Sequence, residues 1–143
     1  MSSNGTSFVT VVHGTMRPVD GGVGVRIAAG GHPPPLLRRR DGSVEEVPAH
    51  GPIIGMLPDV RFHPADVLLV AGETLLCFTD GLPDARGPTG FLGVDRLAAL
   101  LADCTGMTAQ AIAERCLQTA LEHLDGRPHD DMAVMAVQVD PAG

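Results

Sequence analysis

The chain has 143 residues, 44% of them hydrophobic and 19% charged, which is enough to bury a core and too apolar for a disordered acidic tail. A formal net charge of −7 argues against nucleic acid as the main partner, because a phosphate backbone needs a surface rich in basic side chains. No apolar run approaches the ~18 residues of a membrane span. Met1–Gly5 lack the basic and apolar regions of a signal peptide. Cys77, Cys104 and Cys116 are odd in number, far apart and set in apolar stretches, so they read as buried free thiols of a reducing compartment, and no CxxC or CxxH pair suggests zinc. The expected location is the cytoplasm, with neither nucleic acid nor membrane as partner.

In chain order, residues 1–6 are expected to be disordered and the β-branched run Phe8–His13 to form a strand. Turn chemistry over Pro18–Gly22 joins it to a second strand, Gly24–Ala29, as a hairpin. Gly30–Pro35 excludes helix and central strand, because its prolines lack donors. Leu36–Arg39 and Ser43–Val47 flank Asp41-Gly42, a strong hairpin signal, and Arg38–Arg40 read as a solvated edge. Pro48–Pro58 is expected to be a loop that buries Ile53, Ile54 and Met56. Short strands follow over Val60–His63 and Val67–Val70, then a turn at Ala71–Glu73. The wholly apolar run Leu75–Thr79 reads as a strand buried on both faces.

Asp80–Gly93 is a long loop rich in Gly, Pro and Asp, and Asp95–Ala102 reads as a helix. Thr108 is the expected N-cap of a helix over Ala109–Leu124 whose face carries Ile112, Cys116, Ala120, Leu121 and Leu124. Met132–Val139 closes the chain as a half-buried strand. Antiparallel strands, then two helices, then a last strand predict an α+β fold with both helices on one sheet face.

Two acidic positions stand out. Asp80 ends the apolar strand and is followed by Gly81, while Asp130 and Asp131 stand just before the final strand. If those strands are neighbours, Asp80 and Asp130 project side by side, and hard oxygen ligands on rigid strand ends suit Mg²⁺ or Mn²⁺. The same residues are equally the ordinary chemistry of a turn and of a solvated strand boundary. His32 before three prolines invites a catalytic role, with a structural anchor of the loop as the alternative, and His129 stands beside Asp130. Asp84 and Arg86 read as exposed residues of a loop well placed for substrate contact. No phosphate-binding glycine loop is present.

Six motifs occur in series: FVTVV from Phe8, GGHPPPLL from Gly30, GPIIG from Gly51, LCFTDGLPDAR from Leu76, FLGVDRL from Phe91 and HDDMAV from His129. In this order they resemble the SpoIIE/RsbU-type phosphatases of the PP2C-like (PPM) superfamily. The resemblance implies an αββα sandwich, a binuclear Mn²⁺/Mg²⁺ centre and hydrolysis of phosphoserine or phosphothreonine, with no residue here assignable as catalytic in its own right. It implies Asp80 and Asp130 as metal ligands, with Gly81, Asp131 and His129 around them. The partner it implies is a phosphorylated regulatory protein, a STAS-type anti-sigma-factor antagonist. Two family segments, GDxxD and DxxGHG, are not in this sequence, GGH stands for the more usual AGH, and Ala133 stands where Thr is usual. The expectation is therefore one partial domain over 1–143, the C-terminal portion with the N-terminal metal-ligand segment missing and the metal site incomplete. On that expectation the isolated chain is weak or inactive and binds at most one divalent ion weakly. An exposed sheet surface offers a homodimer interface, and the alternative is a catalytically inactive interaction module.

Overall fold

A strand that is apolar at every position has to lie between two layers, because each of its faces needs cover. Thr74–Phe78 comes close to this, apolar over Leu75–Phe78 and buried at all five residues, and it sets the architecture. A computed structural model describes Gly5 and residues 7–140 of the chain. The disorder expected for residues 1–6 falls, Gly5 aside, outside the described residues.

Strands β1 (Val11–Val19) and β2 (Gly22–Gly30) form the first hairpin, and β3 (Leu36–Arg38) and β4 (Val44–Glu46) the second. They are followed by β5 (Ala65–Leu69), β6 (Thr74–Phe78), the two-residue strands β7 (Arg86–Gly87) and β8 (Gly90–Phe91), α1 (Val94–Ala102), α2 (Ala109–Leu124) and β9 (Val134–Gln138). One antiparallel sheet runs β1-β2-β5 and the other β4-β3-β6-β9.

The sheets meet through Val25, Ile27, Ala29 and Leu69 on one side and Leu37, Leu75 and Cys77 on the other. The alternate residues of the second sheet, Leu36, Leu76 and Phe78, pack against Leu97 and Leu101 of α1 and Ile112, Cys116, Ala120 and Leu124 of α2. The described residues thus stack helices on sheet on sheet, with both helices on one face as the order of elements predicts. No described helix is long and apolar enough to cross a membrane.

Local chemistry sets the ends of α2: the Thr108 hydroxyl accepts a hydrogen bond from the Ala111 N–H at 3.3 Å, and Asp125 closes the helix in the left-handed region at φ 51°. Its buried stripe steps by four, Ile112, Cys116, Ala120, Leu124, and leaves Leu121, expected inside, 52% exposed.

Other expectations need correction. The first strand begins at Val11 rather than Phe8 and runs on through Pro18, which an edge strand tolerates. Val60–His63 forms no strand: His63 only bridges His50, as Val9 bridges Ile54. Ile54 and Met56 are exposed, at 41% and 59%, because nothing among the described residues covers their loop. The Asp80–Gly93 segment contains the small β7–β8 hairpin.

Of Arg38–Arg40, expected as a solvated edge, only Arg40 is exposed. Arg38 is 6% exposed and straps the second sheet to the helical layer, donating to the Ala102 carbonyl at the end of α1 (3.2 Å) and to the Thr105 hydroxyl (2.7 Å). Arg39 links Glu45 of β4 to the buried Glu73, and Arg40 donates to the Ala71 carbonyl.

All three cysteines are free and buried. Burial pushes the Cys77 and Cys116 thiols from their ordinary 9.0 up to about 11 and raises Cys104 as well. Because the folded values lie above the unfolded one, the stability held by neutral thiols is complete below pH 9 and is lost as pH climbs toward 11. The native chain at pH 8 is expected to resist iodoacetamide, with all three thiols labelled only after denaturation. Mass spectrometry showing rapid native labelling of Cys77 or Cys116 would contradict this.

Candidate functional site

The antiparallel pairing of β6 with β9 sets Phe78 opposite Val134, so the C-terminal end of one strand adjoins the N-terminal end of the other. The pairing extends one step past the ladder. The Thr79 N–H donates to the Ala133 carbonyl at 3.0 Å, and the Ala133 N–H donates to the Thr79 hydroxyl at 2.9 Å. Asp80 follows this clamp on one strand, and Asp130 and Asp131 precede it on the other. The adjacency of strand ends expected from the sequence is present.

Gly81 is where the two segments come closest. A Cβ built there would sit inside the van der Waals radius of the Asp131 carbonyl oxygen. Gly81 is not among the left-handed glycines, so close backbone approach, rather than a special turn conformation, is what demands glycine.

The segment after Asp80 is wound into turns: Asp84 N–H to the Asp80 carbonyl (3.0 Å), Leu82 N–H to Thr79 (3.1 Å) and Gly93 N–H to Pro83 (2.9 Å). Leu82 and Ala85 anchor those turns in the core. The site loop therefore stands on packed side chains, while Asp80, Asp130, Asp131 and His129 are all exposed.

A cavity of about 300 Å³ opens beside this junction, lined by Gly81, Asp84, Ala85, Arg86, Pro128, His129 and Asp130. Asp80 and Asp131 stand outside its lining. Within it His129 Nδ1 lies 2.6 Å from the Asp130 carbonyl oxygen, which shapes the segment before β9. Arg86 and Asp84, read from sequence as exposed residues of a loop well placed for substrate contact, share this cavity with Asp130.

A larger groove, about 530 Å³, crosses the outer face of the β1-β2-β5 sheet. Its Arg26 and Asp66 pair with each other at 3.1 Å, and none of the acidic residues singled out from the sequence lines it. His32 lines neither of these; it lines a third cavity of about 150 Å³ beside Thr79 and Ala133, with its Nδ1 3.2 Å from the Pro33 carbonyl oxygen.

Apart from the His129 imidazole, the donors near the junction are carboxylates and backbone carbonyls, hard oxygens that suit Mg²⁺ or Mn²⁺ and not a soft-ligand metal. Among the described residues no group of three or more His, Cys, Asp or Glu gathers closely enough to hold an ion. The fit is thus to an ion held by one or two carboxylates that keeps most of its waters, which is how Mg²⁺ is commonly bound.

Residues 1–140 match the family model of stage II sporulation protein E (SpoIIE). Over 110 residues the chain is 34% identical to protein IcfG of a Synechocystis species, covering 75% of this chain and 17% of that protein. Over 112 residues it is 25% identical to phosphoserine phosphatase RsbU of Bacillus subtilis, covering 78% of this chain and 33% of that one. The phosphatase domain of the cell-fate determinant SpoIIE from Bacillus subtilis, in its Mn-presoaked form, superposes with a TM-score of 0.72 at 18% identity, over 93% of this chain and 58% of that one. The chain spans less than two thirds of the length of each of these three.

Proposed function

This chain belongs to the SpoIIE family and has the PP2C-like phosphatase fold, and from that premise we propose that it serves metal-dependent hydrolysis of phosphoserine or phosphothreonine on a regulatory protein. The observation that carries the reading is the β6–β9 junction, which sets Asp80 and Asp130 on adjoining strand ends beside a cavity.

In this reading Asp80 and Asp130 hold one Mn²⁺ or Mg²⁺, and Gly81, Asp131 and His129 shape the backbone around it. A divalent ion bound there supplies charge neutralisation for phosphoryl oxygens and a water of lowered pKa. The chain's own contribution is placement: the Thr79–Ala133 clamp fixes the strand ends, and the turns anchored by Leu82 and Ala85 keep the site from shifting. The substrate, by family analogy, is a STAS-type anti-sigma-factor antagonist in the cytoplasm. A homodimer would use the outer face of the first sheet, where Val19 and Leu68 are 39% and 47% exposed.

A second reading, a catalytically inactive interaction module, is favoured by the lack of a three-ligand cluster among the described residues. One experiment separates the two: Mn²⁺ titration and Mn²⁺-dependent hydrolysis of a phosphoserine peptide, by this chain and by Asp130→Asn. Loss of a ligand is expected to weaken Mn²⁺ binding at least as much as loss of an outer partner, about 10–100-fold. Hydrolysis abolished in the variant supports the enzyme. Metal binding without hydrolysis supports the module. No Mn²⁺ binding by the parent chain would remove the metal-site reading.

A further inference from the structure

We infer that Arg86 is a phosphate-binding residue, taking the phosphoryl oxygens of the substrate at the mouth of the cavity it shares with Asp130; this rests on the phosphatase reading above. The chain's ten basic side chains are all arginines. Among the described residues only Arg17, Arg61 and Arg86 make no hydrogen bond or ion pair; the other seven are engaged. Arg17 lies in the groove on the outer sheet face, Arg61 lines neither cavity, and Arg86 alone of the three lines the one that holds Asp130.

Arg86 is nevertheless held in place. Its guanidinium carbon stands 5.4 Å from the centroid of the Phe91 ring, its cross-strand partner in the β7–β8 hairpin. Stacking fixes the plane of a guanidinium and leaves its N–H edge free to fork onto an anion. The hairpin is itself pinned to the end of α2. A Cβ on Gly87 would collide with the His123 carbonyl oxygen, His123 Nε2 lies 2.9 Å from the Gly90 carbonyl oxygen, and the Leu92 N–H donates to the Ala85 carbonyl at 2.9 Å.

A cavity lined by Asp84, Asp130 and an unpaired arginine is unsuited to a bare anion. It suits one that arrives with a cation, as a phosphate bound to a divalent ion at neighbouring Asp130 would. The oriented arginine then divides the phosphoryl charge with that ion, and the carboxylates are not left facing the phosphate alone.

The test is a titration of the chain with inorganic phosphate, with and without saturating Mg²⁺. It follows the Arg86 Nε–Hε resonance and the dissociation constant for the parent chain, Arg86→Ala, Arg86→Lys and the distant control Arg17→Ala. The resonance is expected to move with phosphate. Arg86→Ala is expected to weaken phosphate binding by about ten- to a hundredfold, the worth of charge-assisted hydrogen bonds, with Arg86→Lys intermediate and Arg17→Ala unchanged. Melting temperature and Mg²⁺ affinity should be unaltered in Arg86→Ala, which separates phosphate binding from a purely structural stack. Phosphate binding equal in the parent and Arg86→Ala, or no phosphate binding by the parent, overturns the proposal. Failure of the phosphatase reading looks different: Mg²⁺ binding would be absent or indifferent to Asp80→Asn and Asp130→Asn, whatever Arg86 does.

Discussion

Leu76→Ala is expected to lower stability by about 3–5 kcal/mol, the upper part of the range for a leucine truncated in a core that cannot collapse around the loss. Leu76 is fully buried at the middle of β6, between Leu36 of β3 and Ala136 of β9 on the same face, beneath both helices. Its neighbours are held by two ladders and the helical layer, so little can move in to fill the space. At about 2–4 °C per kcal/mol for a chain of this size, the melting temperature should fall on the order of 10 °C. Leu121→Ala on α2 is the control: that side chain is 52% exposed and should shift the midpoint little. Equal losses at both positions, read by denaturant or thermal unfolding, would contradict the assignment of the core.

The second large effect is expected at Gly81. Gly81→Ala places a methyl group against the Asp131 carbonyl, a backbone atom that cannot rotate away, so the end of β6 and the start of β9 must separate. Overpacking of this kind costs about 1–3 kcal/mol, and it should act on the site at the same time. Mn²⁺ affinity should fall roughly tenfold or more, as for other changes behind a ligand, because Asp80 and Asp130 stand on the two segments driven apart. Gly14→Ala on β1 is the comparison, since its added Cβ would meet only ordinary contacts, at 3.6 Å from the Arg26 carbonyl oxygen and 3.8 Å from Ile27. There the substitution should be neutral or mildly stabilising through the unfolded chain. A Gly81→Ala protein with unchanged melting and unchanged Mn²⁺ binding would show that the junction is soft and not a constraint on the site.

The distribution of these effects separates local from long-range information. Helix α2 has the ends its sequence announces, because a Thr cap and a terminating Asp-Gly act within a few residues of the helix they bound. The double burial of β6 was legible from the four apolar residues Leu75–Phe78 in a row, since period and composition are properties of one window. Asp80 and Asp130 were legible as candidates through their places at strand ends and through serial motifs, whereas Asp84 and Arg86 were legible only as exposed residues of a loop suited to substrate contact.

Tertiary structure decided the remainder. Only the pairing of β6 with the distant β9 brings the two acidic segments together, and only it makes Gly81 a point of close approach. Only docking of α1 beside β3 turns Arg38 from an apparently solvated side chain into a buried strap, and only the seating of the β7–β8 hairpin on α2 leaves Arg86 stacked and unpaired at a cavity. Whether Ile54, Met56 or Leu121 is covered likewise depends on what packs over it. Caps, turns and periodicity are written in neighbouring residues, whereas a site assembled from strand ends and loops far apart in the chain exists only once the layers have closed on one another.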